Sequence, residues 1–253
     1  MSIGFGYVPP EQIIKDKADY ARKGIARGRP MVVLEYDGGI LLVTDNPSTH
    51  LHKIAELYDR IAFAAVGRFS EFEMLRVAGI TLADIRGYQY GREDVTSRSI
   101  ANAYSQELGR IFMEGTKPYE VELCVAEVGT GSAPNALYHI DFQGTVNDHK
   151  RYLAMGGQAD ELTAELQRGY RDGIGLEQAL KLAVSALAKH APSGGSDGGP
   201  TSGRLEAAVL ERNRPRRAFR RLSSEDITAR LHAGSGPAPG GAGSGGETGS
   251  GPA

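Results

Sequence analysis

Several places in this sequence hold residue types at spacings that could do chemistry. His50 and His52 have the separation of a metal-ligand pair on an extended segment. No acid, cysteine or third histidine lies beside them in the chain, so packed or solvated histidines are expected and no metal. Gly129-Thr-Gly-Ser132 has the glycines of a phosphate-cradling loop, but it lacks the Gly-Lys-Ser/Thr ending and no helix pattern follows, so it reads as a hairpin turn. Cys124 sits inside an apolar run, where a thiol behaves as a small hydrophobe. The segment from Arg212 to Arg221, RNRPRRAFRR, is where nucleic acid could be held. One basic patch with a single aromatic, Phe219, and no binding motif reads instead as turn or interface ion pairs. The acidic pairs Glu71/Glu73 and Glu225/Asp226 are expected on solvated helix surfaces. Serine, histidine and aspartate all occur, but no Gly-x-Ser-x-Gly elbow presents a nucleophile. Taken singly, these motifs name no chemistry and no cofactor.

The elements that must position such residues follow from local pattern. Pro9-Pro10-Glu11 opens a helix to about Ala26, because proline and acid suit a first turn and Ile13, Ile14, Ala18, Ala21 and Ile25 recur at helical spacing. Gly28-Arg29-Pro30 ends it. Met31–Tyr36 and Ile40–Thr44 then flank Asp37-Gly38-Gly39, the strongest hairpin signal in the chain. A second pair, Lys53–Leu57 and Ile61–Val66, is split by Tyr58-Asp59-Arg60. Helices are expected over 71–88, broken at or beside Gly79, and over 96–113. Strands return at 119–128, 137–141 and 152–155, followed by helices over 159–170 and 176–190. Strands near 205–210 and 216–219 lead to a short helix capped by Ser223 or Ser224. Runs of strands alternate with pairs of helices. That order predicts antiparallel sheets covered by helical pairs, an α+β layered sandwich, and argues against Rossmann or TIM arrangements.

Composition bounds the function classes. The 253 residues carry 29 basic and 31 acidic side chains for a net charge of −2, which argues against coating DNA or anionic membrane by bulk charge. Hydrophobic residues at 40% suffice for a sizeable core. The single cysteine excludes an intramolecular disulfide and a four-cysteine zinc site, and fits a reducing compartment. No apolar run approaches a membrane span, and the opening MSIGFGYVPPEQ has neither the basic start nor the apolar stretch of a secretory signal. A cytoplasmic protein is expected. The 34 glycines concentrate in soft regions. Residues 1–8 form an N-terminal segment without periodicity, 192–203 read as a loose loop within a domain spanning 9–232, and 233–253 read as a flexible Gly/Ser/Pro/Ala tail.

Several stretches together resemble the α subunits of the 20S proteasome, most closely the actinobacterial type. They are Pro10-Glu11-Gln12 leading into Tyr20-Ala-Arg-Lys-Gly-Ile-Ala-Arg27; Asp45-Asn-Pro-Ser48 with Lys53-Ile-Ala-Glu-Leu-Tyr-Asp-Arg60 and Ala64-Ala-Val-Gly67; and Lys117-Pro-Tyr-Glu-Val-Glu-Leu-Cys-Val-Ala-Glu127. Met155-Gly-Gly157 and Asn213–Arg221 agree. The similarity spans roughly residues 8–232. The resemblance implies a four-layer αββα sandwich, the N-terminal-nucleophile hydrolase-like fold, which the pattern of elements reaches independently.

Catalytic β subunits of that family begin, after processing, with a threonine whose hydroxyl attacks and whose free amine serves as base. By the resemblance, Asp45 falls in the register of their acid and Lys53 in that of their lysine, whereas the nucleophile's register falls at Arg29, before Pro30. Arginine cannot be that nucleophile, so no catalytic residue is expected. The alternative, a self-standing N-terminal-nucleophile hydrolase or β-type threonine protease, requires a processable Thr, Ser or Cys there. The resemblance further implies heptameric α rings in an α7β7β7α7 core with the β subunit. It implies a Lys53 pocket for the C-terminal carboxylate of an AAA+ activating ATPase, and pupylated substrates. The segment Ile3-Gly4-Phe5-Gly6-Tyr7-Val8 would form the gate over the axial pore, and the helix from Pro10 would pack ring neighbours together.

Overall fold

The computed structural model describes residues 9–189 and 204–232. The gate segment, the 192–203 loop and the 233–253 tail lie outside the described residues.

Helix α1 (Pro10–Ala26) precedes strands β1 (Met31–Tyr36), β2 (Gly39–Asp45), β3 (Ile54–Tyr58) and β4 (Ile61–Gly67). Helices α2 (Phe69–Gln89) and α3 (Ser97–Glu114) follow, with a 3-10 turn at Arg92–Asp94 between them. Then come β5 (Val121–Glu127), β6 (Ala136–Ile140), β7 (Val146–His149), β8 (Tyr152–Met155), α4 (Ala159–Gly169) and α5 (Leu176–Lys189). The chain closes with β9 (Leu205–Glu211), β10 (Phe219–Leu222) and α6 (Ser224–His232). One antiparallel sheet has the order β10-β9-β2-β1-β8 and the other β3-β4-β5-β6-β7.

Strand alternation builds the layers. Val33, Ile40 and Leu42 on one face of the first sheet meet Ala62, Ala64, Val66 and Ala126 of the second. Val32, Leu34, Leu41 and Val43, on the opposite face, pack against Leu162 and Leu166 of α4, Ala179, Leu180 and Ala183 of α5, and Ile227 of α6. Phe63, Ala65, Leu123 and Val125 pack against Phe72, Ile100, Tyr104 and Leu108 of α2 and α3. The result is helices, sheet, sheet, helices. Helix α1 adds Ala18, Ala21 and Ile25 to the cluster between the sheets, and Lys17 Nζ donates to the carbonyls of Phe112 and Gly115 at 3.0 and 2.8 Å, capping the end of α3.

Both strong hairpins form as two-residue connections, with Tyr36 opposite Gly39 and Tyr58 opposite Ile61. Gly39 has φ 148°, and a β-carbon there would lie 1.9 Å from the Leu210 carbonyl of β9, so β9 can pair with β2 only against glycine. The final helix is capped by Ser223, whose Oγ accepts from Asp226 N at 3.0 Å while Asp226 Oδ2 accepts from Ser223 N.

Three expectations need correction. Helix α2 runs unbroken through Gly79. The glycine is there because a β-carbon would lie 1.8 Å from the Tyr104 hydroxyl, which donates to the Leu75 carbonyl. The last strand is 219–222, not 216–219, since the chain is still turning at Pro215 and Ala218 N bonds to the Asp59 carbonyl instead of a neighbouring strand. Strand β7 was not anticipated: Val-Asn-Asp-His is polar and on the sheet edge, so it carries no alternation.

Candidate functional site

The connection from β2 to β3 crosses from one sheet to the other, and it carries the site. Asn46 stiffens it: Oδ1 accepts from Ser48 N at 3.1 Å, and Nδ2 donates to the Leu51 carbonyl at 2.6 Å. Ser48 Oγ accepts from Leu51 N at 3.0 Å. This is what the Asp-Asn-Pro-Ser spacing builds. The crossover delivers Lys53 to the mouth of the sandwich beside the end of α1.

There Arg29, Asp45 and Lys53 come together. The Arg29 guanidinium pairs with Asp45 Oδ2, which also receives Arg204 Nη2 at 3.0 Å. Lys53 Nζ donates to the Arg29 carbonyl at 3.2 Å. Glu206, on β9 in the opposite sheet, accepts from Lys53 N at 3.0 Å, Ile54 N at 3.1 Å, Asn46 Nδ2 at 2.7 Å and Arg221 Nη1 at 2.5 Å. Asp45 and Glu206 are buried. Three arginines, Arg29, Arg204 and Arg221, together with Lys53 thus surround two carboxylates, leaving the site cationic at neutral pH. Burial pushes the Lys53 ammonium down to about 8, with Arg29 adding to that effect while Glu206 and Asp45 oppose it. An ammonium short of solvent in a surplus of positive charge favours an anionic partner.

The remaining candidates fall elsewhere. His52 leans on Glu206 at 3.4 Å and His50 is exposed; among the described residues no group of three or more His, Cys, Asp and Glu could hold a metal. Cys124 is fully buried in the core between the sheets, and burial drives its thiol up to about 12. Gly129–Ser132 lies in the β5–β6 connection, where Ala133 N bonds to the Thr130 carbonyl, a turn as expected. The arginine-rich segment is ion-paired: Arg214 and Arg220 with Glu211, Arg217 with Glu56, Arg221 with Glu206. Glu71 departs from expectation. It is buried, because its carboxylate accepts from Glu120 N and Lys117 Nζ at 2.6 Å each, tying α2 to the approach to β5. Sequence reasoning missed Glu206, Arg204 and Arg221, which reach the site from residues more than a hundred positions away. The one available signal was an acid within an otherwise apolar strand, Leu205-Glu-Ala-Ala-Val.

Two stacked antiparallel sheets between helical layers, with a strand-end acid and a crossover lysine at one mouth, define the N-terminal-nucleophile hydrolase-like class of fold. Comparison with known proteins narrows it. A family profile described as "Proteasome subunit" matches residues 25–199. A "Proteasome subunit alpha" from Xylanimonas cellulosilytica is 55% identical over 227 residues, covering 88% of this chain and 93% of the relative. Another from Streptosporangium roseum is 54% identical over 235 residues, covering 93% and 89%, and one from Thermobifida fusca is 54% identical over 231 residues, covering 91% of each. The chain belongs to the proteasome subunit family, as an α subunit of the actinobacterial type.

Proposed function

We propose that this chain is the non-catalytic, gating and docking subunit of a cytoplasmic 20S core, forming heptameric outer rings that template β rings in an α7β7β7α7 particle. The observation that carries the reading is what occupies the registers of the family's catalytic groups. At the position that the resemblance assigns to the nucleophile, a guanidinium pairs with Asp45, so the acid is engaged by Arg29 and Arg204. Lys53 remains, with one carbonyl contact in a cationic setting. It receives the C-terminal carboxylate of an AAA+ activating ATPase, which feeds pupylated proteins to the core. The protease nucleophile belongs to the β subunit. Residues 3–8 form the gate that restricts substrate access, ahead of the domain over 9–232.

Apolar side chains left in solvent support assembly. Helix α1 buries Ala18, Ala21 and Ile25 yet exposes Ile13, Ile14 and Tyr20, a second face suited to a ring neighbour. Helix α2 exposes Met74, Val77, Ile85 and Tyr88 on another side of the sandwich.

Co-expression with the β subunit, read by native mass spectrometry, tests the assembly. A particle of two α and two β heptamers is expected, with peptidase activity abolished by replacing the β threonine. A chain that never joins β would overturn the reading. Lys53→Ala in the assembled core is expected to lower ATPase-dependent protein degradation at least about tenfold with the native mass unchanged. Undiminished degradation would remove Lys53 from the docking site.

A further inference from the structure

The Lys53 backbone is held from both sheets. In its own sheet the Lys53 carbonyl accepts from Ala65 N of β4 at 3.0 Å, but its N–H points the other way, out of that sheet. The backbone N–H groups of Lys53 and Ile54 both end on Glu206, one on each carboxylate oxygen at 3.0 and 3.1 Å. Asn46, at the start of the same crossover, shares Oε2 with Lys53 N, so both ends of the crossover are tied to one carboxylate. The carboxylate is itself held. Arg221 donates Nη1 to Glu206 Oε1 and Nη2 to the Ile54 carbonyl at 2.7 Å, closing a ring of contacts around Ile54. Glu206 is 8% exposed, and four hydrogen bonds hold its carboxylate.

We propose that Glu206 is the positioning residue of the Lys53 site: from the facing sheet its carboxylate fixes the Lys53 backbone and so sets where the ammonium meets an incoming carboxylate. This rests on the reading of Lys53 as a docking lysine. Glu206 never touches the docked tail. It acts through Lys53 in two ways, by geometry and by charge. The charged groups facing Lys53 are Glu206 and Asp45, which hold its proton on, and Arg29, which weakens its hold. Arg221 and His52 face Glu206.

The two actions separate experimentally. The probe is a synthetic peptide copying the C-terminus of the activating ATPase, as free acid and as C-terminal amide, titrated onto the assembled α/β core across pH 6.5 to 10. Wild-type core binds the acid form over the amide and loses that preference as pH rises through about 8. Glu206→Gln is expected to weaken the acid form about tenfold and move the midpoint down by about one pH unit. Glu206→Asp keeps the charge but draws it back by one methylene, so it weakens binding several-fold with the midpoint in place. Arg29→Gln moves the midpoint upward, establishing that it reports Lys53.

Wild-type core that does not distinguish acid from amide overturns the docking reading and this inference together. Wild-type preference with unchanged affinity and midpoint in both Glu206 variants overturns this inference alone. Should Glu206→Gln not assemble, Glu206→Asp decides: wild-type affinity there refutes positioning.

Discussion

The two mouths of the sandwich are both rich in arginine, yet they spend it differently. At the mouth where β4 starts and β9 ends, Arg60 donates to the carbonyls of Val128, Gly129, Arg212 and Arg214 at 2.8–3.2 Å. Arg212 donates to those of Gly131 and Ala133 and to Asn135 Oδ1. These guanidinium groups stitch three turns together through backbone oxygens, and Arg60 spends four of its five donors on them. At the Lys53 mouth, cations face side-chain carboxylates that they outnumber, and the lysine keeps a single carbonyl contact. A cation saturated by carbonyls is architecture. One held in excess over its carboxylates, with donors to spare, is what the proposed docking of an anion requires.

Removing a staple should therefore cost stability without touching docking. Arg60→Ala strands several carbonyls at a partly buried junction, with an expected loss of about 2–4 kcal/mol. Denaturant unfolding of the isolated chain measures it. Binding of an ATPase-tail peptide by assembled rings that survive the change stays at wild-type strength. If tail binding falls while stability holds, the two mouths are not functionally distinct.

The opposite pattern is expected at the other mouth. Lys53→Met keeps the aliphatic stem and deletes an ammonium whose burial disfavours its charged form, so stability at pH 7 is unchanged or raised by about 1 kcal/mol. Tail-dependent degradation is lost all the same. A variant destabilised by several kcal/mol would make Lys53 a structural cation, no different in kind from Arg60.

How far each mouth was readable from sequence follows from how local its forces are. Both hairpins, α1 and the β1–β2 core were legible because two-residue turns, proline at a helix start and period-two burial act over a few neighbours. Asp45, Lys53 and Arg29 were found through resemblance, since nothing in a lone strand-end lysine distinguishes it from a solvated one. Glu206 showed only as an acid in an apolar strand: what makes it matter is that β9 pairs with β2 and so presents its carboxylate to a crossover some 150 residues earlier (Lys53 N to Glu206 is a separation of 153). Gly79 misled for the same reason. Locally it is a helix breaker, whereas its role is set by Tyr104 on α3. Glu71 misled because the lysine that pairs with it, Lys117, is 46 residues away.

The finest test of the contrast is its dependence on pH, where the Lys53 mouth should show opposite trends in stability and binding. The folded chain releases the Lys53 proton near pH 8, the unfolded chain near its ordinary value of 10.5. Below 8 both states carry the charge and the cost of burying it is undiminished. Between 8 and 10.5 the unfolded state binds more protons, so this group's contribution to stability rises with pH. Cys124 works against it. Its buried thiol keeps its proton to about 12, while the unfolded thiol ionises from its ordinary 9.0, so its contribution falls as pH climbs past 9. Comparing wild type with Lys53→Met cancels the thiol: any excess stability of the variant at pH 7 should shrink steadily between pH 8 and 10.5. Over the same interval a docked carboxylate loses its cation, and tail affinity in wild type should fall. Unfolding midpoints and peptide titrations at matched pH read both trends. A stability gap that stays constant across the interval would mean Lys53 titrates as a solvated lysine, and the distinction between a buried receptor and a structural staple would then rest on hydrogen-bond partners alone.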